Sequence, residues 1–469
     1  MKDGLEAARE ALAERPAWLV GGAVRDRLLG RETADLDVVV AGDPGEAARA
    51  VARAAGSAAC FALSEDFGCW RIVARDRSWQ MDVEPLRAET LEEDLALRDF
   101  TVNAIAEPLA GGDAVDPLGG ELDLRAGRLR MAGPHAFRED PLRVLRLVRV
   151  AVELGFEPDE EALRAATREA AALDGVSGER VFVELRRIVA SARAREGLEL
   201  LSRLGAGAVV LGELEALRGV GQNRYHHLDV LGHTLEVLEQ TIALEAGTGP
   251  SGSVLAPYRE EVGALLSEPL ADDMTRGEAL RWGALLHDAA KPLTRKMMVG
   301  FGPTFIGHDE RGAELARDVL GRLRASERLR AHVAALARHH LRLGFLVHEP
   351  QPLARRTTFA YMSACSPVEV DVTLLSIADR LATRGKRAEE SIAAHLAVAG
   401  PVLADALRWR SEGAPQPLWR GDELARELGM TPGPQLGVLL DELRAARYAG
   451  EISDREAALA HARRALETL

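Results

Sequence analysis

Hydrophobic and polar positions divide the chain into two regimes. Up to about residue 134, short β-branched runs alternate with helical stretches. AWLV (17–20) predicts a strand, Gly21-Gly22 a break, and AVRDRLL a helix. LDVVVA (36–41) predicts a second strand, closed by the turn residues Gly42-Asp43-Pro44-Gly45. CWRIVAR (69–75) and WQMDVE (79–84), separated by a polar turn at Asp76, predict a hairpin. From Pro141 onward strand signals nearly vanish. Asp140-Pro141 predicts the N-cap and first position of a helix reaching about Leu154, because proline's missing N–H is harmless there. Helical patterns follow at 159–173, 177–190 and 194–204. AGTGPSGSVLAP (246–257) predicts a long surface loop, and SEGAPQPLW (411–419) a boundary before a helical tail. The expected fold is α+β. It has a small mixed α/β head over 1–134, an all-helical neck over 135–219, a helical domain over 220–400 and a tail over 401–469.

Composition narrows the class. Of 469 residues, 47% are hydrophobic and 28% charged, which excludes disordered and collagen-like chains. Three cysteines (Cys60, Cys69, Cys365) do not make a disulfide framework and point to a reducing compartment. The N-terminus carries acids throughout, unlike a signal peptide, and no run approaches the ~20 apolar residues of a membrane span. The expectation is a soluble cytoplasmic protein with no membrane partner. A net charge of −14 argues against a broadly basic nucleic-acid surface, although a basic stripe on one domain is compatible with it.

Two constellations in the first half carry chemistry. After Gly21-Gly22, Asp35 and Asp37 alternate along a strand and therefore point the same way. Two such carboxylates suit Mg²⁺, and a glycine pair before a helix lets backbone amides approach a phosphate. A third acid on a neighbouring strand would complete a two-metal phosphoryl-transfer site; Asp82 is the candidate, and Glu84 shares its face. The plainer alternative is a solvated strand edge. Further on, Asp140 and Arg143 stand one helical turn apart, so an acceptor and a two-donor fork can read one base edge, cytosine or adenine. Arg146 and Arg149 continue along that helix toward RNA phosphates. Here the plainer alternative is a helix cap beside a solvated arginine.

Five blocks in order, LVGGAVRDRLLGRETADLDVVV, EEDLALRDFTVNAIA, VDPLGGELDLRAGRLR, FREDPLRVLRLVRVAVELGF and GERVFVELRRI, resemble the class II tRNA nucleotidyltransferases and bacterial poly(A) polymerases of the polymerase β superfamily. The resemblance implies a template-independent enzyme that extends the 3′ end of tRNA, recognised with its acceptor stem, using CTP, with ATP as a second candidate nucleotide, and Mg²⁺. It implies that Asp35 and Asp37 bind the catalytic metals and that Arg98 and Asp99 recognise the ribose. Asp140 and Arg143 would then pair with the base, with Gly21, Gly22, Arg25, Asn103 and Arg146 completing the nucleotide site. Glu179 and Arg180 would support the neck. Two departures stand out: Leu97 replaces the first of two usual arginines, and only about three residues separate Arg87 from Leu91. CCA-adding relatives usually carry a flexible loop there, whereas relatives adding only two cytidines resemble this short form. CC addition is the expectation, with CCA addition, A addition and poly(A) synthesis as alternatives.

Nine of the twelve histidines fall between His226 and His348. His233, His287-Asp288 and Asp379 occur in an order that resembles the HD phosphohydrolase superfamily. The resemblance implies a metal-dependent phosphohydrolase acting on RNA or nucleotide phosphoesters. Imidazole and carboxylate donors suit Mn²⁺, Fe²⁺, Ni²⁺ or Zn²⁺. His308, His339 and His340 match additional histidines of HD proteins and could hold a second metal or phosphate. Lys291 follows the His-Asp pair by one helical turn. His332, His348, His395 and His461 read as structural, and Arg53, Arg71, Arg295 and Lys296 as surface charges.

Overall fold

The computed structural model describes residues 3–56, 58–64, 68–250, 252–299 and 302–467. The chain forms two compact units, Met1–Val210 and Leu211–Leu469.

The first unit is built on a six-stranded sheet. Its strands are β1 (Ala17–Val20), β2 (Asp35–Val40), β3 (Ala59–Ser64), β4 (Cys69–Val73), β5 (Gln80–Pro85) and β6 (Ala106–Pro108), in the order β3-β4-β5-β2-β1-β6. Every neighbouring pair is antiparallel except β2 and β5, which run parallel. Parallel neighbours need a crossover. It is supplied by the helix Pro44–Ala54, whose start is fixed by Asp43 accepting from the Gly45 and Glu46 N–H groups. That helix buries Ala47, Ala48, Val51 and Ala52.

After the sheet in the chain come the helices Arg143–Leu154, Glu160–Glu169, Gly178–Ala190 and Ala194–Arg203. The first opens at Arg143, later than the sequence predicts, because Asp140 is extended (φ −142°) and caps a turn by accepting from Leu142 N at 3.2 Å. Arg149 faces inward rather than toward RNA. It is 6% exposed and bound to Glu184 at 2.5 Å and Glu153 at 3.0 Å.

The second unit is mostly helical, with two short two-stranded ladders, Pro269–Ala271 with Met274–Thr275 and Lys296–Met298 with Gly302–Thr304. The predicted loop at 246–257 instead contains a helical turn, Gly252–Leu255, and a 3₁₀ turn, Ala256–Tyr258. Leu255 anchors this segment in the core, and packing overrides the weak helix propensity of its Gly and Ser residues. One helix among the described residues, Ala388–Glu412, is long and apolar enough to cross a membrane. It runs through the expected division at 400/401, and Val402, Leu403, Ala406 and Trp409 lie in the unit's hydrophobic core. Leu424, Leu439 and Leu443 belong to a separate small core in the tail.

Candidate functional site

The parallel pairing of β2 and β5 sets Asp37 directly opposite Asp82. Alternation along the strands then places Asp35, Asp37, Asp82 and Glu84 on one face. Arg71, opposite Asp82 on β4, binds that carboxylate through two 2.7 Å hydrogen bonds. Gly21 sits at φ +72°, where a Cβ would lie 3.1 Å from both Asp37 Oδ2 and Arg98 Nη1; glycine suits the conformation and leaves that space open. Asp37 is open to solvent. Even so, lost hydration, with Asp82 and Glu84 adding to it and Arg98 and Arg146 opposing, pushes its carboxyl up to about 6. Such a concentration of negative charge suits a divalent cation.

A polar relay runs beside these acids. Arg25 Nη1 donates to Asn103 Oδ1 at 2.8 Å, Asn103 Nδ2 donates to Asp99 Oδ1 at 3.0 Å, and Asp99 Oδ2 lies 3.1 Å from Arg146 Nη2. Burial alone would raise the Asp99 carboxyl. Arg146, the Asn103 amide and the Phe100 N–H hold it below its ordinary range. Gly22 begins the helix that carries Arg25. The structure therefore brings Gly21, Asp37, Asp82, Arg98, Asp99, Asn103 and Arg146 into one neighbourhood, with Asp35 at its exposed edge.

Asp140 and Arg143 are already engaged. Asp140 Oδ2 accepts from Arg180 Nη2 at 2.9 Å. Arg143 donates to the backbone oxygens of Leu97 at 2.7 Å and Ala136 at 3.1 Å. A guanidinium has five N–H donors, so these two bonds orient Arg143 without exhausting it.

In the second unit the histidines converge on one carboxylate. Asp288 is 1% exposed. Its Oδ2 lies 2.6 Å from Lys291 Nζ, 3.1 Å from His287 Nε2 and 3.7 Å from His233 Nε2. Its Oδ1 lies 3.2 Å from His308 Nε2 and 3.7 Å from His340 Nε2. Asp379 Oδ1 is 3.0 Å from His233 Nε2. Two donor sets thus share Asp288: His233 with His287, and His308 with His340. Gly283 permits the close helix packing behind them, since a Cβ there would meet Leu336 at 2.4 Å.

The ring orientations fit a metal. His287, His308 and His340 each place Nδ1 within 2.6–2.8 Å of a carbonyl three residues earlier. An Nδ1–H held this way leaves Nε2 to coordinate. His287 Nε2 and both His233 ring nitrogens are buried without a well-formed hydrogen bond. Burial would raise the Asp288 carboxyl, but His287 and Lys291 hold it well below its usual range.

His339 stands apart from this cluster, accepting from Arg342 Nε at 2.9 Å. Sequence reasoning missed Arg71, which the hairpin register places against Asp82. It also missed Gln222, which accepts from Lys291 Nζ at 2.7 Å, and His226, edge-on to His233 at 5.2 Å.

Three family models match separate stretches of the chain. Residues 17–130 match the poly A polymerase head domain, 155–217 the probable RNA and SrmB-binding site of polymerase A, and 230–384 the HD domain. The chain is 38% identical to an A-adding tRNA nucleotidyltransferase of Deinococcus radiodurans, over 96% of this chain and 95% of that one. It is 36% identical to a CC-adding tRNA nucleotidyltransferase of Thermus thermophilus, over 95% and 93%. A solved CCA-adding enzyme of Bacillus stearothermophilus in complex with CTP shares the fold, with a TM-score of 0.65, 23% identity and full coverage of both chains.

Proposed function

Because this chain belongs to the tRNA nucleotidyltransferase family and is a nucleotidyltransferase, we propose that it adds two cytidines from CTP to the 3′ end of tRNA and then stops. The observation that carries the CC reading is the connection after β5. Three residues separate Arg87 from Leu91, and both the Arg87 N–H and its side chain are held by the buried carboxylate of Asp94. A short, pinned tether permits few alternative closures and keeps the pocket in one shape, suited to one base. Relatives named for A addition and for CC addition match the chain to similar extents, so overall similarity does not choose between them.

In this reading Asp35, Asp37 and Asp82 hold Mg²⁺, which when bound neutralises charge on the triphosphate and the attacking 3′ oxygen. Gly21 and Gly22 let the triphosphate approach the backbone. Arg98 and Asp99 read the ribose, and Asp99 is kept ionised by Arg146. Asp140 accepts from the cytosine amino group while Arg143 donates to the ring, an arrangement that leaves groups of uracil unpaired. Primer extension on tRNAs ending at the discriminator base, at C and at CC tests the proposal. CTP should be used twice, and efficient AMP addition to the CC-ending tRNA would refute it.

A second activity has its own support. The imidazole nitrogens gathered around Asp288 suit a divalent ion of the Mn²⁺, Fe²⁺, Ni²⁺ or Zn²⁺ group, which His233, His287, Asp288 and Asp379 would hold. Such an ion supplies an activated water for hydrolysis of phosphoesters. In this reading Lys291, bound to Asp288 and Gln222, contributes the cation that meets a phosphate.

A further inference from the structure

Residues 86–90 join β5 to the helix Leu91–Ala96, and the join is fixed at both ends. Leu86 N donates to Val40 O at 3.2 Å on one side. On the other, Thr90 and Glu93 form a reciprocal capping box. Between them, Arg87 N–H donates to Asp94 Oδ1 at 3.0 Å and Arg87 Nε reaches the same oxygen at 3.3 Å. Asp94 is fully buried, at 0% exposure. Its second oxygen makes no hydrogen bond and lies 3.5 Å from Arg98 Nη2.

Arg98 is similarly poised. Its Nε is buried without an acceptor, and its Nη1 borders the gap at Gly21 that Asp37 also lines. One carboxylate therefore stands between the arginine that fixes the connection and the arginine that faces the nucleotide site. Leaving a buried carboxylate oxygen and a buried guanidinium N–H without hydrogen bonds is unfavourable. Their juxtaposition is explained if Arg98 must keep donors free for substrate while its direction is set electrostatically from behind.

We infer that Asp94 is a positioning residue for Arg98. Through it, the conformation of the 87–91 connection sets how firmly the pocket holds a nucleotide's ribose. The inference rests on the reading of Arg98 as a nucleotide contact.

A double-mutant cycle tests it in the full-length enzyme. Asp94→Asn, Arg98→Ala and the double variant are compared by kcat, KM and ribonucleotide-over-deoxyribonucleotide preference, with thermal melts to verify folding. Asp94→Asn should raise nucleotide KM about tenfold, leave kcat within about twofold and lower the ribose preference. It should add almost nothing in the Arg98→Ala background, since coupled residues are non-additive. Arg87→Ala should shift the same parameters in the same direction by less. Additive effects, or a fall in kcat with unchanged ribose preference, would overturn the assignment. Should Asp94→Asn fail to fold, Asp94→Glu, which keeps the charge and should preserve the ribose preference, and Arg87→Ala carry the same comparison against Arg98→Ala. The cycle is run with whichever nucleotide the wild type incorporates. A preference for ATP would then refute CC addition while leaving the Asp94 result readable.

Discussion

Replacing Asp37 with asparagine should stabilise the metal-free protein while removing its activity. Its carboxyl is raised from 3.8 to about 6, so at neutral pH the folded chain carries a charge that the fold disfavours. At about 1.4 kcal/mol per pH unit, the full shift corresponds to an upper limit of ~3 kcal/mol. Because Asp37 is open to water, screening lowers this to about 1 kcal/mol. For a unit the size of Met1–Val210, that is a rise of about 2–4 °C in Tm. The sign follows from proton binding. Between pH 3.8 and about 6 the folded state binds more protons than the unfolded chain, so wild-type stability falls as pH rises through that window. Asp37→Asn lacks this loss. Its advantage should be complete above about pH 7, reduced to roughly half at pH 5, and absent below 3.8. Calorimetry in chelator at pH 8 and pH 5, beside an incorporation assay on tRNA with Mg²⁺, measures both sides. A variant less stable than wild type at pH 8, or equally favoured at both pH values, would refute the electrostatic account. Retained incorporation would refute the metal assignment.

Other outcomes follow from the same geometry. Arg71→Ala releases Asp82 from two 2.7 Å bonds and should raise the Mg²⁺ concentration for half-maximal incorporation severalfold; an unchanged Mg²⁺ curve would place Asp82 outside the metal site. Arg143→Ala should narrow the preference for CTP over UTP about tenfold or more while leaving triphosphate binding partly intact, and unchanged selectivity would return Asp140 to being a cap. His287→Ala and Asp288→Asn should each abolish metal uptake by the second unit and any metal-dependent hydrolysis of 2′,3′-cyclic phosphates without stopping nucleotide addition. Equal loss of both activities would instead show these residues to be structural.

Much of this arrangement follows from local periodicity, and the rest needed register or rotation. Two-residue alternation places Asp35 and Asp37 together and makes Asp82 the candidate third acid, but Glu84 shares its face, and only the strand pairing puts Asp82 directly across from Asp37. His339 and His340 are adjacent in sequence yet about 100° apart around a helix, and only packing shows which one turns toward Asp288. Arg71 looked like a surface charge because its partner lies eleven residues away across a hairpin. The helical turn at 252–255 was hidden by glycine and serine, residues whose intrinsic preference one buried leucine outweighs. The start of the helix at Arg143 was misplaced because a proline after an aspartate signals a turn as readily as a first helical position.

The contacts of Arg143 and Arg146 bear on how such enzymes can be recombined. These arginines lie beyond residue 134, yet one grips the backbone at Leu97 and the other stands against Asp99. A short parallel ladder, Arg128–Leu129 with Glu157–Pro158, stitches the same border. A chimera cut at 134/135 would join acids from one parent to cations from another, across the neighbourhood proposed to read the nucleotide. Parents with different nucleotide preferences would yield hybrids in which neither preference is intact. Cuts near Val210, where the compact unit ends, transplant the proposed nucleotide site whole. Natural gene fusions and laboratory shuffling should both tolerate that later junction far better than the earlier one.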